Sequence, residues 1–107
     1  MHAPLLQVRE TPVSRDCCRI TLVGELDVGT VAQFRTSISA LLGTGCRHVV
    51  VDLADTTFLD SSGLGALVWA AHRLEAAGGD LVAENPTPRV ASTLEITGVG
   101  RILLAQG

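Results

Sequence analysis

The stretch Asp60-Ser61-Ser62-Gly63-Leu64-Gly65 holds the residues of this chain best suited to chemistry: a carboxylate, adjacent hydroxyls and flexible glycines. A serine in such company can be a nucleophile, a helix cap or a phosphoryl acceptor. The nucleophile reading fares worst. Leu59 and Gly63 flank the serines, so the stretch is no Gly-x-Ser-x-Gly elbow. His48 and His72 have no sequence context that marks either as a catalytic base. No phosphate loop ending in Gly-Lys-Ser/Thr exists, because the chain contains no Lys. Gly63-Leu64-Gly65 lacks the third glycine of a dinucleotide site and falls inside a helix start rather than before one. An enzyme is not expected.

Metal and redox chemistry find equally little support. His2, His48 and His72 share no ligand spacing with one another or with Cys17, Cys18 and Cys46. An odd, irregular set of cysteines argues against a disulfide framework and for small buried or half-buried thiols. No metal and no cofactor are expected.

At the motif itself, Asp60 or Ser61 can cap the helix that follows, a bond worth roughly 1 kcal/mol. Gly63 and Gly65 cost that helix about 1 kcal/mol each relative to Ala. Two glycines in a first turn call for a reason beyond capping, such as close approach of another backbone. The residues alone leave open a cap, which is purely structural, and a functional surface.

These residues must be positioned by regular elements. Leu5 to Arg9 is a short strand, broken by Thr11-Pro12. Arg19-Ile20-Thr21-Leu22-Val23 is a strand that Gly24 ends. Thr30 caps a helix with Gln33 three residues on, as in a capping box. Val31, Phe34, Ile38, Leu41 and Leu42 form its apolar face, and Gly43 and Gly45 stop it. His48 to Leu53 carries a β-branched run suited to a strand covered on both faces. Ala54 to Leu59 is a loop. A second helix runs from Asp60 or Ser61 to about Ala77, with Leu64, Leu67, Val68, Ala71 and Leu74 inward and Gly78-Gly79 after it. Leu81 to Ala83 is a strand. Thr87-Pro88 starts a third helix that buries Val90, Ala91 and Leu94 and ends at Gly98. Ile102 to Leu104 is a last strand. The order β-β-α-β-α-β-α-β implies a mixed, mostly parallel sheet with helices packed on it.

Composition narrows the function classes. The chain has 107 residues, enough for one domain with its own core. Its net charge is −3 and its eight basic residues are all Arg, scattered singly, so direct nucleic-acid binding is not expected. Its apolar runs are too short for membrane insertion. Met1 to Leu6 has none of the features of a signal peptide, so a cytoplasmic location is expected. Trp69 falls off the apolar face of the second helix. It is either a flank residue half covered by the sheet or a partner contact.

Val49-Val50-Val51-Asp52-Leu53 followed by Phe58-Leu59-Asp60-Ser61-Ser62-Gly63-Leu64-Gly65 closely resembles the central segment of STAS domains, of the bacterial anti-sigma-factor antagonist type. Gly24-Glu25-Leu26-Asp27 resembles a second segment of that family, and Leu94-Glu95-Ile96-Thr97-Gly98-Val99 with Ile102 its C-terminal pattern. The resemblance runs from about Leu5 to Leu104. It implies an α/β STAS fold in a single domain over 1–107. It also implies a partner, an anti-sigma factor with serine kinase activity. By that resemblance the unphosphorylated protein binds the anti-sigma factor and frees a sigma factor. Phosphorylation of Ser61, the serine directly after the motif aspartate, switches binding off, and a phosphatase acting on phosphorylated Ser61 resets it. The partner-binding set implied is Glu25, Asp27, Asp60, Ser61, Ser62, Gly63, Leu64 and Gly65. The family also includes scaffold and regulatory subunits of stress-sensing complexes and of membrane transporters, an alternative setting for the same fold. Relatives usually continue into another helix after the last strand, whereas this chain stops at Gly107.

Overall fold

The computed structural model describes residues 6–98. The strand expected at Ile102–Leu104 and the pattern residues Val99 and Ile102 lie outside the described residues. Within them the order is β1 (Leu6–Pro12), β2 (Cys17–Leu26), α1 (Val31–Gly43), β3 (His48–Asp52), β4 (Thr56–Leu59), α2 (Ser61–Ala76), β5 (Asp80–Glu84) and α3 (Pro88–Thr97).

The sheet runs β1-β2-β3-β5, with β4 added to β2. Only β1–β2 is antiparallel; β2–β3, β2–β4 and β3–β5 are parallel. The mixed, mostly parallel α/β sheet is therefore as the sequence implies. β2 organises it. Its first half pairs with β3 from Cys17 to Thr21, and its last residues pair with β4.

Four sequence expectations need correction. Pro12 does not break β1, because β1 is an edge strand paired on one side only, where a missing N–H costs nothing. Gly24 does not end β2. It takes φ 117° at a β-bulge, where the register slips against β4 and Thr57 is the extra residue. Ala54–Leu59 is not all loop, since Thr56–Leu59 pairs with the far end of β2. Finally, β3 is not covered on both faces. Val49 and Val51 are buried, whereas Val50 is half-exposed. On that open face Arg19 reaches Asp52 at 3.4 Å and Glu84 at 3.2 Å.

The core lies on the other face of the sheet. Ile20, Leu22, Val49, Val51, Leu81 and Ala83 supply its floor. Phe34, Ile38 and Leu41 of α1 and Leu67, Ala70, Ala71 and Leu74 of α2 close it. α3 packs by Val90 and Leu94, and its Thr87 cap accepts the Val90 N–H. Cys46 is buried, and Cys17 and Cys18 are half-buried. Burial, with Cys18 beside it, pushes the Cys46 thiol up to about 12, so it stays protonated at neutral pH.

Candidate functional site

Two helix starts meet at the C-terminal end of β2 and β4. The first is an anchor. Thr30 precedes α1 but makes no side-chain cap bond, so the expected capping box with Gln33 does not form. Its hydroxyl is used in the preceding loop instead. It accepts the Asp27 N–H at 3.0 Å and donates to the Glu25 carbonyl at 2.8 Å. The Gln33 side chain donates to the Leu6 carbonyl at 3.5 Å. Thr30 is one of the few buried polar residues of the described chain.

The second start carries the motif. Asp60 is the N-cap of α2, and its Oδ1 accepts the Gly63 N–H at 2.9 Å. Its Oδ2 accepts the Val28 N–H at 3.3 Å, which ties the loop after β2 to the helix. The Asp60 N–H in turn donates to the Leu26 carbonyl at 3.4 Å. Both oxygens of Asp60 are thus committed to backbone donors.

With Asp60 capping, Ser61 is the first helical residue and needs to cap nothing. Ser61 is exposed and Ser62 half-exposed, and neither hydroxyl is hydrogen-bonded to another described residue. Ser61 stands in the first turn of α2, where negative charge is favoured.

The two glycines have separate reasons. Gly63 is buried, and a Cβ there would lie 2.3 Å from the Leu26 carbonyl oxygen and 2.7 Å from Leu59 Cδ1. Only glycine lets α2 sit this close to the end of β2. Gly65 is exposed, and a Cβ there would meet nothing within 4 Å. Leu64, also in the motif, is buried at 8% exposure. Gly63 and Leu64 therefore seat the helix, while Ser61, Ser62 and Gly65 face outward.

Asp27 lies in the loop that Asp60 ties to this helix start through Val28, whereas Glu25, expected in that loop, is a residue of β2 paired with Phe58. Asp27 Oδ1 accepts the Gly29 N–H at 2.9 Å. Sequence reasoning missed Val28. Its side chain is 77% exposed while its N–H is held by Asp60, which presents an apolar group beside the serines. Its place between Asp27 and Gly29, in a loop rather than a periodic element, was the only available signal. Phe58 on β4 is also partly exposed, with the Arg89 guanidinium 5.8 Å from its ring.

The histidines are elsewhere. His48 starts β3, at the other end of the sheet strands, and its Nδ1 lies 2.9 Å from Asp80 Oδ1. That bond raises its pKa above the usual imidazole value. His72 is exposed, three turns along α2 from Ser61. Among the described residues, no group of His, Cys, Asp and Glu is placed to hold a metal ion, and no helix is long and apolar enough to cross a membrane.

This geometry has counterparts among known proteins. The STAS domain family matches residues 9–106. The anti-sigma F factor antagonist of Lysinibacillus sphaericus is 35% identical over 89 residues, spanning 82% of this chain and 76% of that protein. The anti-sigma factor antagonist SpoIIAA, solved in its unphosphorylated form, superposes with a TM-score of 0.81 at 29% identity, over 92% of this chain and 86% of that one. The phosphorylated form of the Bacillus cell fate determinant SpoIIAA gives a TM-score of 0.73 at 28% identity, over 92% and 89%.

Proposed function

The chain belongs to the STAS domain family, and from that premise we propose that it is an anti-sigma-factor antagonist switched by phosphorylation of Ser61. In the cytoplasm the unphosphorylated form binds an anti-sigma factor that is also a serine kinase, and a sigma factor is released. Phosphorylation of Ser61 ends that binding, and a phosphatase restores it. The chain itself is a binding protein, not an enzyme. The docking face centres on Ser61, Ser62 and Gly65, with Val28 and Asp27 of the loop after β2, and Glu25 near the end of β2, around them.

The observation that carries this reading is the free Ser61 hydroxyl. Asp60 has taken over the cap, so a phosphoryl group on Ser61 displaces no bond of the fold. The added charge is about −1.5 to −2. The helix N-terminus stabilises it by roughly 0.3–1 kcal/mol. Nearby carboxylates such as Asp60 oppose it, by about 2 kcal/mol for each unit pair of charges ~7 Å apart at an effective dielectric near 20, before screening. The two effects partly offset each other, so the fold persists. A relative solved in both phosphorylation states, and alike in fold to this chain in each, supports that expectation.

The cost of the switch falls on the interface. A hydroxyl is easily buried against a partner, whereas a dianion must be stripped of water there. Every ~1.4 kcal/mol of that penalty lowers affinity tenfold. The test is incubation with anti-sigma kinases and ATP, followed by mass mapping of the label. Label on Ser61, absent from Ser61→Ala, is expected. Label on Ser62 moves the switch by one residue, and no label with any such kinase removes the phosphorylation step.

A further inference from the structure

Trp69 and the arginines around it are not accounted for by the switch. Ser62, Gly65, Trp69 and Arg73 follow at helical spacing on α2 and form one outward stripe. Trp69 lies seven residues beyond Ser62, about 10 Å along the helix axis. Its ring is half-buried against the core and is flanked by two guanidinium groups. Arg35 of α1 stands 5.6 Å from its centroid and Arg73 of α2 stands 5.7 Å away. Both arginines are exposed, and among the described residues neither forms an ion pair. Arg73 also borders a shallow depression of about 290 Å³ that Leu42, Arg47, Ala76 and Ala77 complete.

Gly65 lies between the serines and this patch. Helix propensity disfavours glycine there, and no neighbour occupies the space its Cβ would take. The stripe is therefore flat at Gly65, basic and aromatic beyond it, and acidic at the end where Asp60 holds the loop of Asp27. Trp and Arg are the residues most enriched at binding hot spots. The net charge of the whole chain is −3, so a basic end on this one face is a local feature.

We propose that the docking face for the anti-sigma partner continues from Ser62 across Gly65 to Trp69, where Arg35 and Arg73 take an acidic segment of that partner. This extension rests on the antagonist reading above. Its role is selectivity. The serine end is switched, while the Arg35–Trp69–Arg73 end distinguishes partners with carboxylates at this position from those without, and fixes the direction in which the partner lies along α2.

Trp69 is the only Trp and the chain has no Tyr, so its emission reports directly on this patch. The probe is the anti-sigma kinase that labels Ser61, titrated against the full chain. Binding by the wild type is expected to shift Trp69 emission. Arg35→Glu with Arg73→Glu is expected to weaken binding at least tenfold and to flatten its salt dependence, with an unchanged circular dichroism spectrum. Gly65→Gln, a good helix former on an open surface, is expected to weaken binding at least tenfold without lowering Tm. Undiminished affinity in the charge-reversal variant, alongside loss of binding in Ser61→Asp, overturns the extension and leaves the antagonist reading standing. Absence of binding by the unphosphorylated wild type to every anti-sigma factor tried overturns both.

Discussion

The starts of α1 and α2 are built from the same kinds of residue and are used in opposite ways. At α1 the small hydroxyl residue, Thr30, is buried and spent, binding the Asp27 N–H and the Glu25 carbonyl. At α2 the hydroxyl residue, Ser61, is exposed and unspent, because the neighbouring carboxylate of Asp60 does the capping. Asp60 also holds Val28, so each helix start fastens the same loop. The contrast shows what the proposed switch at Ser61 requires of its surroundings. It must sit where charge is tolerated, beside a rigid frame, and contribute nothing to that frame itself.

The contrast can be broken most severely at Gly63. Gly63→Ala drives a Cβ into the Leu26 carbonyl and is expected to destabilise the fold by about 3 kcal/mol in denaturant unfolding. Equal stability to wild type would mean that α2 does not sit as closely on β2 as described. Next is Thr30→Val, which keeps shape and takes the hydroxyl away from the part-buried Asp27 N–H and Glu25 carbonyl. It is expected to cost about 2 kcal/mol, whereas Ser61→Ala is expected to cost under about 0.5 kcal/mol. A Ser61 variant as damaging as the Thr30 variant would erase the distinction between frame and switch. Gly65→Ala goes the other way, with a gain of about 0.5–1 kcal/mol, because the helix improves and nothing is struck.

The smallest effect lies far from the site. The Asp80 carboxylate raises the His48 pKa, so the contribution of the pair to stability is complete below the unfolded value near 6.5. It is lost as pH rises through the higher folded value. A slight fall in Tm as pH rises above about 6.5, absent in His48→Gln, is expected. The Ser61 end, with no titrating histidine described beside it, should not share that dependence.

Much of this was legible in the chain. The apolar spacing of α1 and α2 gave both helices, and the Asp60–Gly65 stretch marked where α2 begins. β4 was not legible, for a physical reason. It is four residues long and owes its existence to the far end of β2, which a distant part of the sequence supplies. The extent of β2 was misread at Gly24, where a residue that usually ends strands serves a bulge. Thr30 and Gln33 had the spacing of a capping box, but the loop and β1 offered their side chains better partners. Gly63 and Gly65 are identical letters with opposite duties, and only the position of Leu26 separates them. Val28 was silent because nothing in its type marks a loop valine as exposed and held by Asp60.

The central claim is that Ser61 controls binding without controlling the fold. Its most direct test is the affinity of the purified anti-sigma partner for the chain before and after stoichiometric phosphorylation at Ser61, measured by calorimetry, with a melting curve for each form. The account predicts an affinity loss of about a hundredfold, the equivalent of ~2.7 kcal/mol at the interface, with Tm moved by no more than about 2 °C. Equal affinity for both forms would contradict it, as would an affinity loss matched by collapse of the melting transition.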